Sequence, residues 1–136
     1  MDLQVGVKIL IKNRSNQYLF LRRATQISTD SNEVSWDIPG GRISSDEPLL
    51  TALKREIEEE IGHSIIARPK LLAAQDMFVQ PKNLHVVRLT YTIEEDVADI
   101  RLSNEHSDYQ WVDANDIAGI AAEPFLEDVL KSLQAP

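Results

Sequence analysis

Apolar residues near the start of the chain recur at every second position. Val5, Val7, Ile9 and Ile11 share one face of residues 3–12, the period of a half-buried strand. Asn13-Arg14-Ser15-Asn16 is a turn cluster, and Gln17 to Arg23 resumes the strand pattern, so the two runs predict a hairpin. Residues 24–34 are polar and aperiodic and predict a loop. Ser35 to Ile38 then forms a short extended piece leading into Pro39-Gly40-Gly41.

Between Glu47 and Gly62 the period changes to near 3.6. Leu49, Leu50, Leu53, Ile57 and Ile61 make an apolar stripe along one predicted helix from about Pro48 to Ile61. Pro48 suits the first turn, Asp46 or Glu47 the cap and Gly62 the stop. Residues 70–79 and 84–95 are strand-like runs parted by Gln80-Pro81-Lys82-Asn83. Tyr109 to Val112 predicts a short strand, and Asp113 to Ala118 one helical turn. Glu123 to Leu133 predicts a closing helix with Phe125, Leu126, Val129, Leu130 and Leu133 inward. The order of elements implies an α+β fold, a mixed sheet with helices packed against it.

Composition narrows this little. A length of 136 residues suits one domain, 1–136, and 43% hydrophobic with 26% charged residues is ordinary for a soluble globular chain. The absence of cysteine removes thiolate metal ligands and fits a reducing cytoplasm, and neither a secretory signal nor a membrane span is expected. A net charge of −8 argues against a nucleic-acid partner, which would need a surplus of Lys and Arg facing phosphates. A small phosphorylated substrate remains compatible, because a divalent cation reverses the field at a carboxylate-rich site. Nothing in the sequence decides between a monomer and a homodimer.

The candidate chemistry lies between Gly40 and Gly62. Glu56, Glu59 and Glu60 are related as i, i+3 and i+4, so their side chains emerge from one helical patch. Most glutamate-rich helices are merely solvated. Here the glutamates sit in the C-terminal half, where the helix dipole disfavours them, they border the apolar stripe, and Arg55 stands directly before them. A hard divalent cation would relieve their repulsion. Gly40-Gly41 would allow close approach of backbone to a ligand.

Gly41, five residues, Glu47, seven residues, Arg55-Glu56-Ile57, one residue, Glu59-Glu60, one residue and Gly62 resemble the Nudix box, G-x5-E-x7-R-E-U-x-E-E-x-G-U, where U is aliphatic. Only the final position departs, with His63 in place of an aliphatic residue. Trp36 to Gly41 and Glu105 to Val112 are similar to segments flanking the box in that family.

The resemblance implies a MutT-like Nudix fold, an α/β/α sandwich with a mixed sheet, a catalytic loop-helix-loop and a C-terminal helix. It implies a Mg²⁺-dependent pyrophosphohydrolase, with Mn²⁺ as a substitute, in which water attacks phosphorus of a nucleoside diphosphate linked to another group. Metal ligands would be Glu56, Glu59, Glu60 and the Gly40 carbonyl. Arg55 would hold a glutamate in place and Glu47 would brace the loop.

The base would be Glu56, Glu59 or, from a later loop, Glu105. Arg23 would bind phosphate. Trp36, Ile38 and Gly41 complete the expected substrate contacts, whereas His63, His85 and His106 are expected to be non-catalytic. The leading substrate is a nucleoside triphosphate, small-molecule and nucleotide in kind, with ADP-ribose or a nucleotide sugar second. Ala122 stands where one branch of the family has a purine-reading asparagine, which weakens an oxidised-guanine reading. A non-catalytic nucleotide sensor is the alternative of another class, but such domains usually lose box glutamates and this one keeps them.

Overall fold

A computed structural model describes residues 1–24, 36–120, 122 and 124–134. Most of the predicted 24–34 loop lies outside the described residues. The elements are β1 (Asp2–Lys12), β2 (Gln17–Arg23), β3 (Gly40–Arg42), α1 (Leu49–Ile61), β4 (Lys70–Val79), β5 (Leu84–Glu94), β6 (His106–Asp113) and α2 (Pro124–Gln134). Short 3₁₀ turns occupy Gln80–Lys82 and Ala114–Gly119. The sheet order is β4-β5-β1-β2-β6, with β3 pairing β1 on the side away from β5. β1 and β5 run parallel and the remaining named pairs antiparallel, which makes the sheet mixed as the element order implies.

The two helices cover opposite faces, and the alternation along β1 sorts residues between them. Val7, Ile9 and Ile11 pack with Leu53, Ile57 and Ile61 of α1. Leu10 instead joins Phe20, Leu126, Val129 and Leu130 beneath α2. Both cores are built of buried apolar side chains, and truncating one of them to alanine removes about 2–5 kcal/mol.

One irregularity builds the site. β1 and β2 pair near the hairpin, where Lys12 faces Tyr18. Further along, residues 36–40 lie between them. Leu21 exchanges both backbone hydrogen bonds with Asp37 (2.7 and 2.9 Å), and the Ile9 N–H donates to the Pro39 carbonyl at 3.0 Å. The glycine turn is thereby fixed against the middle of the sheet.

Helix α1 differs from expectation at its start. Neither Asp46 nor Glu47 caps it; Pro48 is the N-cap and makes no side-chain capping bond. Leu49 and Leu50 stay exposed, and Ala52 takes the inward place in the first turn. The stop is as expected: Gly62 is left-handed and its N–H donates to the Glu58 carbonyl. β6 is longer than the predicted Tyr109–Val112 strand because it pairs along the whole of β2, with a bulge at Arg22/Arg23.

Candidate active site

Two glycines set how closely the turn meets α1. Gly40 has φ of +140°, and a Cβ there would lie 2.0 Å from the Val7 carbonyl oxygen. At Gly41 a Cβ would lie 2.6–2.7 Å from the Glu56 carboxyl group. The missing side chain of Gly41 is therefore the space that the Glu56 carboxylate fills.

Arg55 organises the glutamates. It donates to both oxygens of Glu47 (2.7 and 3.0 Å), to Glu56 at 2.9 Å and more loosely to Glu59 at 3.4–3.5 Å. Glu47 also accepts the Ser44 N–H, so it ties the loop to the helix. Arg55 and the Ser44 N–H hold the Glu47 carboxyl well below its usual range, at about 2, and the Arg55 guanidinium is correspondingly raised.

Glu60 behaves differently. It is buried and accepts the Gly40 N–H at 2.6 Å. Burial pushes its carboxyl up to about 7, aided by neighbouring Glu56 and Asp37 and opposed by Lys8 and the Gly40 N–H. His106 stands 3.8 Å away; burial, then Lys8 and Arg23, keep its imidazole below the usual histidine range.

Glu56, Glu59 and Glu60 open into a cleft of about 880 Å³, together with Gly40, Gly41, Arg23 and Glu105. Residues as far apart in sequence as Arg23 and Glu105 thus line one space. Arg23 reaches the cleft at the bulge, while the Arg22 Nε is buried without a hydrogen-bond partner. Two expected contacts do not join them. Ile38 is 1% exposed and packs in the α2-side core, so its side chain cannot meet a substrate. Trp36 packs against that same core and lines a separate groove with Gln110 and Asn115.

The cleft also contains Lys8, Asp37, Arg42 and Arg88, to which the sequence reading assigned no role, and His106, which was expected to be non-catalytic. A signal was available for two of them. Lys8 and Arg88 are cations on inward positions of interior strands, flanked at alternate places by Leu10 and Val86. Charge in such a position calls for a partner or a ligand. Asp37 supplies the partner, accepting from Lys8 at 3.0 Å and from Arg88 at 2.8 Å.

The donor set suits a hard cation, being oxygen only and freed by Gly41 to approach the turn. Among the described residues no three His, Cys, Asp or Glu side chains converge into a preformed cage. The physical reason is visible: Glu56 and Glu59 turn to Arg55, and Glu60 turns to the Gly40 N–H. Mg²⁺ needs only one or two carboxylates when water and substrate phosphates complete its shell, so the residues fit such an ion.

Residues 2–133 match the model of the NUDIX domain family. A MutT protein of Methanosarcina mazei Go1 superposes with a TM-score of 0.80 at 27% identity, covering 97% of this chain and 93% of that one. An RNA pyrophosphohydrolase of Pelagibacter ubique is 23% identical over 90% of this chain and 84% of its own length. An m7GpppN-mRNA hydrolase of Danio rerio is 38% identical over 60 residues, which is 44% of this chain; the chain spans only 19% of that longer protein. Among the described residues no helix is long and apolar enough to cross a membrane.

Proposed function

The chain belongs to the NUDIX domain family of hydrolases acting on phosphorus anhydrides, and on that premise we propose that it cleaves a nucleoside triphosphate to the monophosphate and pyrophosphate. The observation that carries this reading is the cleft in which the box glutamates face Arg23, Arg42 and Arg88. Carboxylates suited to a divalent cation and guanidiniums suited to phosphate line one space.

NUDIX hydrolases generally use divalent metal ions. In this chain Glu56, Glu59, Glu60 and the Gly40 carbonyl would hold the metal, with Mg²⁺ the expected ion and Mn²⁺ a substitute. When bound, the ion neutralises charge on the phosphate oxygens and lowers the pKa of a coordinated water. The chain's own residues do the rest. Arg55 keeps Glu56 and Glu59 turned toward the turn, and Glu47 holds Arg55. Arg23 binds a phosphate from the opposite side. Glu105 is positioned to take the proton of the attacking water: it lines the cleft, and its carbonyl accepts the Ala24 N–H, which ties its loop to the end of β2. Glu56 and Glu59 are the competing bases. The whole chain acts as one such domain.

A second reading has its own support. Three curated relatives act by name on RNA, one of them covered over most of its length. A triphosphorylated RNA end presents the same anhydride chemistry. ADP-ribose lacks the third phosphate and ranks lower against three arginines in one cleft. The test is a panel of nucleoside triphosphates, ADP-ribose and 5′-triphosphate RNA with Mg²⁺ or Mn²⁺, with products identified by mass. Monophosphate and pyrophosphate from a free nucleotide support the proposal. Turnover of RNA alone transfers it to the second reading. Binding of a nucleotide without turnover of any substrate returns the chain to the sensor class.

A further inference from the structure

Lys8 and Arg88 come from neighbouring parallel strands. In the register Gly6 faces Arg88 and Lys8 faces Thr90, so the two cations are diagonal neighbours on one face of the sheet. Both are largely buried, with side chains 12% and 6% exposed, and both line the cleft. Left alone they would repel each other in a poorly solvated place.

Asp37 bridges them with separate oxygens, Oδ2 accepting from Lys8 Nζ at 3.0 Å and Oδ1 from Arg88 Nη2 at 2.8 Å. The Ile38 N–H donates to Oδ1 at 2.8 Å, and both backbone groups of Asp37 are pinned to Leu21. The carboxylate is thus held from three sides. Burial pushes it up, but Lys8, Arg88 and the Ile38 N–H outweigh burial and keep it ionised.

Stability alone does not account for such a cluster. A buried ion triad is often no better than apolar residues of similar volume. This one opens into the cleft. Lys8 has three N–H donors and, among the described residues, spends two, on Asp37 and on the Ile38 carbonyl at 3.0 Å, which leaves one for a ligand.

We propose that Asp37 is a positioning residue that holds Lys8 and Arg88 as a paired receptor for a phosphate group of the substrate. It rests on the hydrolase reading for the substrate but not for the binding, because cations bind polyphosphate whether or not turnover follows. The probe is inorganic tripolyphosphate, titrated calorimetrically in EDTA against wild type, Asp37→Asn, Asp37→Glu, Lys8→Met and the Asp37→Asn/Lys8→Met double variant. Wild type binds; Asp37→Asn and Lys8→Met each weaken binding about tenfold or more. The double variant loses less than the sum of the two single losses, since Asp37 acts in part through Lys8. Asp37→Glu recovers part of the loss.

No binding by wild type, unchanged or tighter binding by Asp37→Asn, or additive losses would overturn the proposal. Should Asp37→Asn not fold, Lys8→Met and Arg88→Met decide: weakened binding in both supports the receptor, and undiminished binding in either one ends it. Intact tripolyphosphate binding with no hydrolysis of any nucleotide would instead sink the proposed function and leave this inference standing.

Discussion

One part of the cleft wall comes from a single stretch, Gly40 to Gly62, whereas a second part is gathered from Lys8, Arg23, Asp37 and Arg88 on separate segments. The first wall is acidic and locally braced: Arg55 reaches Glu47, Glu56 and Glu59 within one loop and helix. The second is cationic and braced across the sheet, with 29 and 51 residues between Asp37 and its two partners. On the proposed function, local bracing would fix the spacing of the metal ligands, and long-range bracing the outline of the phosphate site. The expected consequence is a division of kinetic labour, with kcat governed by the first wall and KM by the second.

Glu56→Gln tests that division most strongly. Losing a cation ligand should lower kcat on the order of 10³-fold, with circular dichroism unchanged. A loss confined to KM would break the comparison. Gly41→Ala acts on the same wall indirectly. Its Cβ would collide only with the movable end of Glu56, so the fold survives while kcat falls about 10²-fold through misplacement of that carboxylate. Wild-type kcat in that variant would show that Glu56 need not occupy this place.

On the second part of the wall, Arg23→Ala should raise KM about tenfold and leave kcat within a small factor, as measured by steady-state kinetics. Glu105→Gln sharpens the boundary between walls: a large fall in kcat places the base on the later loop, and an unchanged rate assigns it to the helix.

The smallest effect concerns pH. Glu60 ionises near pH 7 in the folded protein and near its ordinary 4.5 when unfolded, so between those values the folded state holds the extra proton. Metal-free stability contributed by Glu60 is therefore present below about pH 4.5 and lost as pH rises to 7. His106, held low, works in the opposite direction, so the comparison must be with Glu60→Gln. In EDTA, wild-type Tm should decline relative to that variant by a few degrees, on the order of 2–8 °C, from pH 5 to 7. Parallel Tm profiles would contradict the assignment.

The contrast between the walls also explains what was legible in the sequence. Alternation in β1 and β5 and the 3.6 period of α1 gave the strands and the helix, because each reflects one buried face. Box spacing picked out Glu47, Arg55, Glu56, Glu59 and Glu60, since side chains on one loop and helix have positions set by residue number. Asp37 was quoted within Trp36 to Gly41 but its partners were hidden, because Lys8 and Arg88 come near it only through strand order and the insertion of residues 36–40 between β1 and β2. Ile38 was among the substrate contacts expected with the family resemblance, but the pairing of Asp37 with Leu21 turns the next side chain into the core. Leu49 and Leu50 misled the stripe as well: both are exposed, and Ala52 takes the inward place in the first turn.

The most direct test of the central claim is Mg²⁺-dependent release of pyrophosphate from nucleoside triphosphates by wild type and Glu56→Gln, followed with mass identification of both products. The account predicts monophosphate and pyrophosphate from the wild type, loss of activity in EDTA, and near-complete loss in the variant. Equal rates for the two proteins, or turnover undiminished by EDTA, would contradict it.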